Sequence, residues 1–168
     1  GLWLAAALVG ALILQTAVSG WLISSPVTVD FVLVVVIYAG LVSGPMAGLA
    51  SGTIGGLVQD ALSSGILGIG GLAKTLVGFF VGRFGTQFIV TATIPRLLIV
   101  AAATAVHAGL FIGLYSVLGL RSFPNPLAVV AGQAAGNCLA GLIGFQLVEW
   151  LPRAVERRRL SRSARVRR

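Results

Sequence analysis

The chain has 168 residues, of which 57% are hydrophobic and 10% charged, with a net charge of +8. A soluble domain of this size carries about 25% charged residues, and mean hydropathy here is +1.02, so composition excludes an ordinary soluble domain and indicates an integral membrane protein. The basic balance does not indicate nucleic acid, because eight of the twelve Lys and Arg lie between Arg153 and Arg168 and read as a juxtamembrane tail.

Leu2 to Ile23 is long enough for a first span. Ala17-Val18-Ser19 imitates a signal-peptidase site, but no basic stretch precedes it and the apolar run continues through Trp21. Ser24-Ser25-Pro26 ends this segment, and Thr28 or Asp30 can cap the next helix. Val27 to Ala61 would measure roughly 52 Å as one helix, too long for a single ~30 Å crossing. Gly44-Pro45 divides it into two short crossings. A Ser/Gly-rich turn from Ser63 leads to a fourth span over Gly71–Phe84. Leu97–Leu118 is the fifth, and Leu127–Leu151 is the sixth, beyond Pro124-Asn125-Pro126.

This predicts an all-α, polytopic bundle of six transmembrane helices over residues 1–152, followed by a basic cytoplasmic tail over 153–168. Six crossings place both termini on one side. The tail, Arg83 and Arg96 make that side cytoplasmic and leave only Arg121 in an outer loop. Arg157, Arg158, Arg159 and Arg162 are expected to contact anionic lipid headgroups.

Small residues recur every fourth position. Gly48, Gly52, Gly56 and Asp60 form one face of the third span, and Gly70, Lys74, Gly78 and Gly82 one face of the fourth. Ala101, Ala105, Gly109 and Gly113 repeat the pattern on the fifth, and Gly132, Gly136, Ala140 and Gly144 on the sixth. Lipid provides no hydrophobic drive for helix association, so such faces serve backbone-to-backbone packing, internally or with a partner helix.

Asp60 and Lys74 are the intramembrane charges that the pattern singles out. With a hairpin apex near Leu67 they lie at matching depth. The functional reading is a ligand or proton site; the plainer one, which we expect, is a structural ion pair fixing two helices. His107, Gln133 and Asn137 form a candidate polar membrane cluster, read either as a small-molecule cavity or as interhelical hydrogen bonding. Cys138 is the only cysteine. No cysteine cluster, paired carboxylates or nucleotide-binding loop is present, so neither a metal, a cofactor nor catalysis is expected.

The run Val34–Tyr38, Gly44-Pro45, Gly48, Gly52, Gly55-Gly56-Leu57, Asp60, Ser63 and Leu67-Gly68 resembles the rod shape-determining protein MreD family. The closing motif reads GGLVQD, with Val58 and Gln59 departing from the family's GLL-x-D. The resemblance implies a non-enzymatic scaffold subunit of the bacterial cell-elongation and peptidoglycan-synthesis complex, in the cytoplasmic membrane. It implies an MreC-like bitopic partner and, through it, MreB, RodA and its transpeptidase. It also implies a fold like the substrate-binding subunits of energy-coupling-factor vitamin transporters, which makes such a subunit the alternative function.

Overall fold

The computed structural model describes residues 2–19, 29–63, 66–87, 92–120 and 123–166, excepting the side chains of 19 and 149–166. Among the described residues it is all-helical. The helices are α1 (Leu2–Ser19), α2 (Phe31–Ser43), α3 (Pro45–Leu62), α4 (Ile69–Gln87), α5 (Thr93–Val117) and α6 (Pro126–Val166).

The centre of the molecule is its shortest helix. α2 has 13 residues, about 20 Å of helix, and is apolar on every side (FVLVVVIYAGLVS). A helix with no polar face has to be enclosed, and Val32, Leu33, Val36, Ile37 and Ala39 are fully buried. One side of α2 packs against Leu8 and Ala11 of α1. Its other side, through Leu33 and Ile37, joins Val77 and Val81 of α4, Val100 and Ala103 of α5, and Phe145 of α6.

The break at Gly44-Pro45 falls where expected. Gly44 adopts φ +87, open to glycine at little cost, and Pro45 starts α3 at a position where its missing N–H is not needed. α3 then turns back beside α2, and α4 returns along both. α5 and α6 form a second pair, joined to the first chiefly through α4 and α2.

Among the described residues, two helical segments are long and apolar enough to cross a membrane: Thr93–Val117, with mean hydropathy 2.2, and Pro126–Val148, with 1.5. Leu2–Val18 and Phe31–Ser43 are shorter apolar helices. Pro152 ends the apolar pattern but not the helix, because α6 continues to Val166. The side chains of Arg157, Arg158, Arg159 and Arg162, on that extension, lie outside the described residues.

Candidate functional site: a buried polar network across the bundle

The two glycine ladders meet each other. A Cβ added at Gly52 would sit 2.5 Å from the Lys74 carbonyl oxygen, and one at Gly56 would sit 2.5 Å from Gly71 Cα. Gly48 and Gly78 are in backbone contact, Gly40 of α2 approaches the same carbonyl of Gly78, and Gly82 lies against Pro45. Three backbones therefore converge where side chains are missing, with α4 in the notch between α2 and α3. The Thr53 and Thr75 hydroxyls add a 2.9 Å hydrogen bond across the α3–α4 seam.

This seam sets the level of each charge, and it separates the expected pair. α3 ends at Leu62 and α4 begins at Ile69, so the hairpin's midpoint falls before Leu67. Lys74 comes level with Gly52, while Asp60 comes level with Gly70 and Gly71. The Asp60–Lys74 ion pair expected from the sequence is replaced by two separate arrangements.

Asp60 closes the hairpin. Its Oδ2 accepts the backbone N–H groups of Gly68 at 2.9 Å and Gly71 at 3.0 Å. These are among the amides that the first turn of α4 leaves without helical partners. A carboxylate suits them because it also opposes the positive end of the helix dipole. Gly70 makes the approach possible, since a Cβ there would collide with the Asp60 carboxylate.

Lys74 instead pairs with Asp30, Nζ to Oδ2 at 2.8 Å, with the two side chains only 3% and 7% exposed. Asp30 caps α2 as its sequence position suggests: Oδ1 accepts the Leu33 N–H at 2.9 Å. One carboxylate thus serves two oxygens' worth of partners, a helix start and a cation from another helix.

From this pair the polar contacts extend to α5, α6 and α1. Lys74 Nζ lies 3.4 Å from His107 Nε2. A lysine ammonium only donates, so Nε2 is assigned as acceptor and the ring proton to Nδ1. Nδ1 is buried without a hydrogen-bond partner, as is Gln59 Oε1. On the other side, the Asp30 N–H donates to Asn137 Oδ1 at 2.8 Å. Asn137 Nδ2 in turn donates to Thr104 Oγ1 at 3.1 Å. Gln15 of α1 accepts from the Phe31 N–H at 2.9 Å and donates to the Val29 carbonyl at 3.0 Å, tying α1 to the start of α2.

The polar cluster expected from His107, Gln133 and Asn137 is realised in part. His107 and Asn137 are buried and both join the network, from opposite sides of the Asp30–Lys74 pair. Gln133 is half-buried, and no hydrogen bond links it to this network among the described residues. Thr104 stands in its place. Sequence reasoning missed Gln15, Thr104 and the pairing role of Asp30. Thr104 and His107 share a face of α5, three residues apart, which was the available signal for the first of these two.

Chemically, the network is a fastener. Its carboxylate, ammonium, amide and hydroxyl groups are engaged with one another or with backbone, and no cluster of His, Cys, Asp or Glu suited to a metal occurs among the described residues. Five helices are bonded through it: α1, α2, α4, α5 and α6.

Fold and site together define an all-helical membrane protein whose buried polar groups lock helices together. Neither curated proteins nor solved structures gave a match to the chain. The family model for the rod shape-determining protein MreD matches residues 2–147 of the 168, and the chain belongs to that family. It is accordingly a rod-shape-determining membrane protein.

Proposed function

We propose that this protein is a scaffold subunit of the bacterial cell-elongation complex that holds the transmembrane helix of an MreC-like bitopic partner. Through that partner it would be coupled to MreB, RodA and its transpeptidase. In this reading all six helices cross the cytoplasmic membrane as a bundle. The short α2 crosses inside protein rather than lipid, both termini are cytoplasmic, and the arginines of the tail rest on anionic headgroups. The family membership supports the cellular role. The engagement of Asp30, Lys74, Thr104 and Asn137 with one another and with backbone supports a structural part.

The observation that carries the docking reading is a contrast between ladders. Those of α3 and α4 are closed against each other, so Gly52 and Gly56 are unavailable to a partner. Ala105, Gly109 and Gly113 of α5 are exposed, and a Cβ added at Gly109 or Gly113 would meet nothing within 4 Å. An open small-residue face is what a second membrane helix packs against.

The test is co-purification with an MreC-like protein from membranes, comparing wild type with Gly109→Leu and Ala105→Leu. Both variants should fold and lose the partner at least tenfold. Undiminished co-purification of both would reject this face. Purified protein that retains a vitamin stoichiometrically would instead favour the transporter-subunit reading.

A further inference from the structure

Between the second half of α4 and the first half of α5 lies a cavity of about 450 Å3, open along one side. Leu76, Phe80 and Phe84 form one wall, and Ile99, Val106 and Leu110 form most of the other. Every residue in the lining is apolar. From Ile99 to Leu110 the groove follows about 16 Å of helix. A hydrocarbon chain, one carbon thick at ordinary contact distances of about 4 Å, can lie along such a slot.

The groove is electrostatically one-ended. Phe84 and Ile99 lie at the end where α4 finishes and α5 begins, and Arg83 lies beside Phe84 on α4. Arg83 is exposed and has no ion-pair partner among the described residues. A long apolar slot with an exposed cation beside one end matches an amphiphile with one fatty chain inside and an anionic phosphate outside.

We propose that this groove is a binding site for an anionic glycerophospholipid, one acyl chain lying between α4 and α5 and the phosphate seated at Arg83. The site depends on the membrane placement of the chain but not on the partner reading, and Ala105 is not among its lining residues.

The experiment is native mass spectrometry of the purified full-length protein with phosphatidylglycerol or phosphatidylcholine of identical chains. Wild type should retain phosphatidylglycerol about fivefold better, the ratio expected of one basic residue at a headgroup. Ala102→Trp, which places a ring in the groove from an exposed position, should abolish retention of both lipids. Arg83→Gln, at a surface position that the fold does not need, should remove the headgroup preference and leave retention of phosphatidylcholine unchanged. Ala105→Trp should match wild type here while losing the partner. Equal retention of the two lipids by wild type, an unchanged preference in Arg83→Gln, or full retention by a folded Ala102→Trp would each overturn the site.

Discussion

Lys74 Nζ sits 2.8 Å from Asp30 Oδ2, joining α4 to the first turn of α2 across 44 residues of sequence. Removing one member of a buried pair strands the other charge, which costs about 3–5 kcal/mol. Asp30→Asn and Lys74→Met should therefore each destabilise the protein by that order, measured as unfolding in detergent titrated with SDS. The double variant Asp30→Asn/Lys74→Met leaves no stranded charge and should be destabilised by much less than the sum. Strict additivity would mean the pair is not coupled.

Asp60 should behave as an independent unit. Asp60→Ala deprives the Gly68 and Gly71 amides of their acceptor, at a cost of about 1–3 kcal/mol. Hydrogen exchange at those two amides should accelerate before any change elsewhere in α4. Because Asp60 and Lys74 share no contact, Asp60→Ala/Lys74→Met should be additive within about 0.5 kcal/mol. A large coupling energy would restore the pairing expected from the sequence.

The glycine ladders divide into closed and open ones, and a single methyl group should tell them apart. Gly48→Ala places a Cβ in the backbone of Gly78, which nothing flexible can relieve, so folded yield in membranes should collapse. Gly109→Ala meets open space and should stabilise α5 by up to about 1 kcal/mol through helix propensity. A comparison of melting temperatures and yields distinguishes them. Equal tolerance would disprove the α3–α4 seam.

Two polar residues of α6, four positions apart, should also differ. Asn137→Ala leaves the buried Asp30 N–H without its acceptor and Thr104 without its donor, at about 1–3 kcal/mol. Gln133→Ala should stay within about 0.5 kcal/mol of wild type. Thermal unfolding of the two variants side by side decides this.

Much of the chain was legible because membrane helices are written in composition. The apolar runs, the Gly44-Pro45 break, the cap at Asp30 and the GGLVQD ending of α3 are local patterns, and each corresponds to a feature of the fold or to the family. The ladders of Gly48, Gly52, Gly56, Gly70, Gly78 and Gly82 were legible as packing faces as well, since bare backbone every fourth residue has few other uses in a packed bundle.

Which partner each polar group takes was a different kind of question. Depth counted from a hairpin apex brought Asp60 to Lys74. A displacement of the turn by a couple of residues rotated and shifted the facing positions, because a helix turns 100° and rises 1.5 Å at each step. Asp30, Lys74, His107, Thr104 and Asn137 come from four helices, and their meeting depends on how those helices are packed rather than on any spacing along the chain. The sequence by itself determined that two glycine-lined helices would touch and that charges would be buried near them. Only the tertiary structure decided that Asp60 closes a hairpin while Lys74 crosses to Asp30, because that choice is made by backbones meeting at the seam.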